Sequence, residues 1–155
     1  PRRPRKPLPA FGWREWIALP ELGVERVKVK LDTGARSSAI HATHIHAFRR
    51  RGRDLVRFLV TPMQRDTRHV VSCEAEVLDI RHVRSSTGTS QERYVISTPI
   101  SLAERTWPIE LTLASRDQMG FRMLLGREAL AGHAVVDPGR SYLATPDVPR
   151  TRRRR

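Results

Sequence analysis

One aspartate in this sequence is placed where a carboxylate could activate water. Asp32 opens residues 32–35 (Asp-Thr-Gly-Ala), directly after the strand-like run 27–31. Peptide hydrolysis without a metal or a covalent nucleophile needs one group to take a proton from water and another to protonate the carbonyl oxygen. Two carboxyls roughly 3 Å apart cannot both ionise, so they share one proton and perform both tasks. Because Asp-Thr-Gly occurs once, we expect a homodimer in which two copies of Asp32 face each other.

The two residues after Asp32 suit such a loop. Gly34 is expected to allow close backbone approach and a positive φ, and Thr33 carries a hydroxyl that could hydrogen-bond across a two-fold axis. The alternative is an ordinary turn without chemistry, because Asp and Gly are common turn residues. The tripeptide alone does not decide between these interpretations.

Three segments, in order, resemble those of the retropepsin-like aspartic peptidases. They are the Asp-Thr-Gly-Ala segment 29–35, the polar, glycine-containing segment 83–93, and the apolar-Gly-Arg segment 123–127. The resemblance implies that segment 83–93 is a flap hairpin over the catalytic loop. It also implies that segment 123–127 packs beneath that loop, ahead of a short helix.

A closer resemblance is to a small bacterial family long labelled as ATP-dependent zinc proteases, whose best-understood type is the RimB peptidase. It covers roughly residues 11–145. The segments that carry it are 12–16 (Gly-Trp-Arg-Glu-Trp), 32–39, 107–110 (Trp-Pro-Ile-Glu) and 141–143 (Ser-Tyr-Leu). It implies a homodimeric aspartic endopeptidase without a cofactor, acting on acidic poly-α-glutamate chains such as the tails added by RimK-type glutamate ligases. The ligase or a ribosomal protein would then be a further partner.

Catalysis is accordingly assigned to Asp32, Thr33 and Gly34. Substrate binding is assigned to residues of the catalytic loop and the flap: Ala35, Arg36, Arg84, Ser86, Gly88 and Arg93. Arg36 stands where viral retropepsins carry acidic residues, and an arginine binds carboxylates through a bidentate fork. The alternative is that Arg36 pairs internally with Glu128 or Asp117 and that the flap arginines are solvated. Arg127 is expected to brace the fold.

A zinc site is the competing interpretation of the histidines. His41, His44 and His46 form His-x-x-His-x-His, and three imidazoles with a water could make a catalytic zinc centre. No glutamate base accompanies them as in His-Glu-x-x-His, and no phosphate-binding glycine loop is present. We therefore assign no metal and no cofactor. The single Cys73 is expected to be a small buried residue of a strand.

The pattern of apolar residues predicts an all-β fold, a closed barrel with one short helix after Gly126. At 155 residues the chain fits one domain, placed at residues 10–147 between basic tails 1–9 and 148–155 that we expect to be disordered. The strand-like runs are 13–19, 24–31, 55–60, 70–80 and 107–113. They are followed by a helix at about 127–131 and by a turn at 137–139 that leads into 141–144. Pro108 predicts an edge or a bulge.

The charge lies mainly in the tails. Of the formal net charge of +13, residues 1–9 supply four positive charges and residues 148–155 supply five. A non-catalytic basic barrel that binds acidic peptides or RNA is therefore the alternative function. RNA binding would be weak and confined to the tails, because aromatic residues are 6% and form no stacking pattern. No apolar run approaches a membrane span, so we expect a cytoplasmic protein; because the sequence begins with proline, export stays open.

Overall fold

β-Strands form most of the chain. The computed structural model describes residues 7–63, 66, 68–84, 88, 90–115 and 120–146, without the side chains of Val83 and Arg84. Within these residues the elements are β1 (Ala10–Gly12), β2 (Arg14–Leu19), a 3-10 turn (Pro20–Leu22), β3 (Val24–Asp32), β4 (Ser38–His41), β5 (Thr43–Arg50), β6 (Arg53–Val60), β7 (Val71–Arg84), β8 (Ser90–Leu102), β9 (Arg105–Ala114), β10 (Met123–Gly126), α1 (Arg127–Leu130) and β11 (Val135–Asp137).

Six strands close into a barrel in the order β2-β3-β10-β4-β9-β8. The pairing of Ala18 in β2 with Ser101 in β8 closes the circle. Strands β7, β6 and β5 continue the sheet beyond β8, and β1 pairs in parallel with β11 in a separate small sheet. The predicted all-β fold with a closed barrel and a short helix after Gly126 is confirmed. The homodimer stays a prediction.

Strand β3 shows how the sequence builds this barrel. Val27, Val29 and Leu31 are buried, while Lys28 and Lys30 between them are half-exposed. This is the period of two that a strand with one core-facing side requires. The alternation brings the chain to Asp32 at the end of β3, where the carboxylate leaves the core.

Strand β10 is apolar throughout because it lies between two other strands. It runs parallel to β3 and antiparallel to β4, and Met123, Leu124 and Leu125 are all buried. In this register Gly126 lies opposite Asp32. The short helix α1 starts immediately afterwards at Arg127, so β10 delivers the helix start to the Asp32 loop.

The predicted flap is an antiparallel hairpin of β7 and β8. Its pairing extends to Arg84 opposite Ser90. Gly88 in the connecting segment is exposed and has φ of +81°, which glycine adopts without strain. Ser86 lies outside the described residues. Strands β7 and β8 thus form the hairpin that segment 83–93 predicted.

Two local expectations have informative outcomes. Pro108 lies in β9 opposite Pro99 of β8, whereas the pairing of β9 with β4 begins only at Leu111. The strand is therefore an edge at Pro108, as expected. Residues 141–144 form no strand ladder, although the Tyr142 N–H donates to the carbonyl oxygen of Arg14 at 2.9 Å.

Candidate active site

The Asp32 loop is a tight turn that presents one carboxylate. The Asp32 carbonyl oxygen accepts a hydrogen bond from the Ala35 N–H at 3.2 Å. Its carboxylate Oδ1 accepts one from the Gly34 N–H at 3.0 Å. The Asp32 side chain is partly exposed and Thr33 is exposed. One carboxylate oxygen is thereby fixed by the main chain, and the side chain reaches the surface.

Of the two reasons expected for glycine at position 34, one is confirmed and the other is not. Gly34 is not among the residues with positive φ, so no left-handed conformation demands it. A Cβ at Gly34 would lie 3.2 Å from Asp32 Oδ1, tighter than ordinary van der Waals contact. Glycine suits this position because its backbone approaches the carboxylate closely.

The start of α1 holds the loop from below. The Arg127 N–H donates to the Ala35 carbonyl oxygen at 2.7 Å, and the Glu128 N–H donates to the Arg36 carbonyl oxygen at 3.1 Å. Arg127 Nη1 donates to the Gly34 carbonyl oxygen at 3.4 Å, the bracing contact expected of Arg127. The two main-chain bonds use the Arg127 and Glu128 N–H groups of the first helical turn, which have no partner within the helix.

Gly126 permits this close packing. Its N–H donates to the buried Ser38 Oγ at 3.0 Å. A Cβ at Gly126 would lie 2.5 Å from the Ser37 carbonyl oxygen and 2.8 Å from that of Ala35. No side chain fits there, so the apolar-Gly-Arg segment lies directly under the Asp32 loop, as the resemblance implied.

Arg36 pairs with Glu128, the internal alternative considered from the sequence. Arg36 Nε lies 2.7 Å from Glu128 Oε1, and both side chains are largely exposed, at 78% and 50%. The hydrogen bond and the charge of Glu128 raise the pKa of Arg36, and the hydrogen bond from Arg36 holds the pKa of Glu128 below its ordinary value. Asp117 lies outside the described residues. The substrate role of Arg36 stays a prediction.

A hollow beside the loop contains a second arginine that sequence reasoning missed. Its volume is about 580 Å³, and its lining consists of Arg36, Ser37, Arg81, Glu110 and Glu128. Arg81 Nη2 lies 3.4 Å from Glu110 Oε2. Arg81 belongs to strand β7 of the flap hairpin, and Glu110 belongs to β9. Their contact exists only because both strands pair with β8 in the sheet. The sequence showed only that a charged residue, Arg81, directly follows the extended run 70–80.

The predicted flap residues have different outcomes. Arg93 is half-buried in β8 and lies directly opposite Arg81 in the hairpin register. The backbone of Arg84 is at the end of β7, and its side chain lies outside the described parts. None of the contacts described for Ala35, Arg93 or Gly88 tests substrate binding, so these assignments stay predictions.

The histidines are dispersed by the backbone. His41 is buried at the end of β4, whereas His44 and His46 are exposed in β5. His44 has φ of +51°, and the β5–β6 pairing shifts register between Thr43 and His46. The part of β5 that carries His44 and His46 is therefore not a regular strand. Within the described ranges, no three His, Cys, Asp or Glu side chains are grouped to hold a metal.

A comparison with protein families decides the classification. A model of the family described as retropepsin-like aspartic endopeptidase RimB matches residues 10–147. The chain belongs to this RimB-like family. The family's name agrees with the geometry of the Asp32 loop and with the barrel that carries it.

The RimB-like chain also resembles part of several longer proteins. It is 48% identical over 128 residues to a probable alpha-L-glutamate ligase of Desulfotalea psychrophila, covering 83% of this chain and 28% of that protein. It is 47% identical over 132 residues to a probable alpha-L-glutamate ligase of Shewanella pealeana, covering 85% and 29%. The chain thus spans less than a third of the length of these curated relatives.

A solved structure shares the fold. The crystal structure of a protein of unknown function from Legionella pneumophila is 26% identical to the RimB-like chain. Its TM-score is 0.73, and the match covers 88% of this chain and 98% of that one. In the part of the chain that the structure describes, no helix is long and apolar enough to cross a membrane.

Proposed function

We propose that the RimB-like chain is a homodimeric aspartic endopeptidase in which each subunit contributes one Asp32. The observation that carries this proposal is the surface carboxylate on a braced loop: Asp32 Oδ1 accepts the Gly34 N–H at 3.0 Å, and Arg127 donates to Ala35 below it at 2.7 Å. A rigid loop suits catalysis because the reacting groups need fixed positions. The chain supplies one such loop, so a second copy supplies the other.

The chemistry follows from two carboxyls that share one proton. The ionised carboxyl takes a proton from a water molecule, whose oxygen forms a bond to the peptide carbonyl carbon. The protonated carboxyl donates to the carbonyl oxygen, which gives a tetrahedral gem-diol. The carboxyl that took the water proton then protonates the amide nitrogen, and the other carboxylate takes a hydroxyl proton from the gem-diol. The C–N bond breaks, an acid and an amine leave, and the pair again holds one proton. Thr33 and Gly34 hold the two loops, and the β7–β8 flap covers the bound peptide.

We propose an acidic substrate, a poly-α-glutamate chain such as one made by a glutamate ligase. Relatives of this chain are named probable alpha-L-glutamate ligases, so a domain of this type occurs within proteins named for glutamate addition. Arg36 and Arg81 line the hollow beside the loop, and guanidinium groups suit carboxylates. Contacts of Ala35, Arg84, Ser86, Gly88 and Arg93 with substrate belong to the same proposal.

The test is cleavage of oligo-α-glutamate, read by mass spectrometry, with wild-type protein and Asp32→Asn. Loss of general acid and base function is expected to lower the cleavage rate by about 10²-fold or more. Asp54→Asn is the matched control, because Asp54 is exposed in β6 and pairs with Arg49 at 3.2 Å. Full activity of Asp32→Asn, or binding without cleavage by wild type, would contradict the proposed reaction.

A further inference from the structure

Both arginines of the hollow are occupied by carboxylates of their own chain. Arg36 contacts Glu128 at 2.7 Å, and Arg81 contacts Glu110 at 3.4 Å and Asp79 of its own strand at 3.6 Å. The Glu110 and Arg81 side chains are 54% and 42% exposed. The hollow is therefore lined by two arginine–glutamate pairs that are accessible from solvent. In each pair the arginine already contacts a glutamate carboxylate, the same group that a glutamate of the substrate carries.

Exposed pairs of this kind are exchangeable. Ion pairs in contact with water contribute little to stability, because solvent screens the attraction and ordering two long side chains costs entropy. An incoming carboxylate that contacts the same guanidinium makes an equivalent interaction. A peptide with several carboxylates gains more than a single one does, because its second contact forms at a high effective concentration.

We propose that the hollow is a carboxylate-exchange subsite, in which glutamate side chains of the substrate replace Glu128 at Arg36 and Glu110 at Arg81. The inference rests on the proposed function, and it adds Arg81 as a specificity-determining residue. Glu110 and Glu128 occupy the subsite in the free protein and move aside on binding. They select against neutral peptides, because only a carboxylate can replace the charge that moves away from Arg36 and from Arg81, which keeps its contact with Asp79.

Removal of one internal carboxylate tests this exchange. Glu128→Gln keeps the size of the side chain and the backbone N–H that donates to the Arg36 carbonyl oxygen. It removes the negative charge that competes with the substrate for the Arg36 guanidinium. We expect KM for oligo-α-glutamate to fall about two- to fivefold, the loss of an exposed ion pair expressed as a ratio, with a smaller effect on kcat. Arg81→Gln is expected to raise KM about tenfold for the acidic peptide.

A pair outside the lining of the hollow supplies the matched control. Asp54→Asn also removes one negative charge from an exposed arginine pair, Arg49–Asp54, near the turn of the β5–β6 hairpin. It should leave KM unchanged. If Glu128→Gln and Asp54→Asn lower KM equally, the effect is one of net charge and the exchange proposal is overturned.

Binding without cleavage separates this inference from the proposed reaction. Labelled oligo-α-glutamate is titrated, by fluorescence anisotropy, into Asp32→Asn protein with and without Glu128→Gln or Arg81→Gln, and oligoglutamine of equal length is the neutral probe. Tighter binding with Glu128→Gln and weaker binding with Arg81→Gln support the subsite. Unchanged dissociation constants, or equal binding of oligoglutamine, overturn it. Failure of wild type to cleave would overturn only the peptidase proposal.

Discussion

At the residue scale, the chemistry depends on main-chain contacts around single side chains. The Asp32 carboxylate is oriented by the N–H two residues later, and the carbonyl oxygens of Gly34, Ala35 and Arg36 are held by donors from Arg127 and Glu128. Fixed dipoles of this kind position a reacting group without reorganisation during the reaction. The loop is thus held by contacts within a single chain.

Cys73 gives a prediction at this scale. The thiol is 2% exposed in β7 and donates to the Leu22 carbonyl oxygen at 3.4 Å. Burial raises its pKa from an ordinary value of 9.0 to about 11. Native protein at pH 8 should therefore resist iodoacetamide, whereas urea-unfolded protein should be alkylated rapidly, as measured by mass spectrometry.

The pH dependence of this effect has a definite sign. Because the folded pKa is raised, the neutral thiol favours folding below pH 9.0 and this contribution is lost as the pH rises towards about 11. The difference in unfolding free energy between wild type and Cys73→Ala should shrink over that range. Rapid alkylation of native protein at pH 8 would show that the thiol is accessible and would contradict the assignment.

The local contacts of the site could be predicted from the sequence, whereas its contacts between distant strands could not. The Asp32 loop could be predicted because its hydrogen bonds join residues two and three positions apart, which a tetrapeptide encodes. The contact of Arg81 with Glu110 could not be predicted, because it joins two strands that meet only through the register of β7, β8 and β9. The close backbone approach of Gly34 was predicted correctly and its positive φ was not, because both demands select glycine and the sequence does not separate them.

At the element scale, a buried carboxylate joins the two ends of the fold. Glu15 in β2 is fully buried. It accepts hydrogen bonds from the N–H groups of Gly12, Ala144 and Thr145, and from the Thr145 hydroxyl, at 2.9–3.2 Å. Segment 140–145 is thereby attached along β2. The Trp13 carbonyl oxygen in turn accepts from the Leu31 N–H at 2.8 Å, one residue before Asp32.

Glu15→Gln should therefore destabilise the protein more than its small change in shape implies. An amide NH₂ would face N–H donors in place of one carboxylate oxygen and would leave buried groups unsatisfied. We expect a loss of about 2–4 kcal/mol in unfolding free energy, measured by urea denaturation. Glu25→Gln is the control, because Glu25 is an exposed residue of β3. Equal stability of the two variants would contradict this role for Glu15.

Some of the strands could be predicted from the sequence and others could not. Strand β3 could be predicted because its apolar residues alternate. Residues 123–126 were expected only as an apolar segment beneath the loop, and the structure shows them to be strand β10. Strand β5 was missed as a full element, because most of its residues are exposed and a bulge interrupts it. The attachment of segment 140–145 depends on the buried Glu15, a tertiary contact with no local pattern.

At the scale of the whole molecule, the barrel is complete within one chain but the proposed catalytic centre is not. Pairing of β2 with β8 closes the six strands, and the sequence contains one Asp-Thr-Gly. A symmetric dimer with a two-fold axis beside Asp32 would supply the second carboxyl. The predicted homodimer is therefore a requirement of the proposed chemistry.

A subunit-mixing titration tests this requirement most directly. Wild-type protein at fixed concentration is mixed with increasing Asp32→Asn protein, subunit exchange is followed by native mass spectrometry, and cleavage is measured at saturating oligo-α-glutamate. We predict that the activity of the wild-type pool falls towards zero with excess variant, because heterodimers carry a single Asp32. Unchanged activity after complete exchange would show that one chain catalyses alone and would contradict the account.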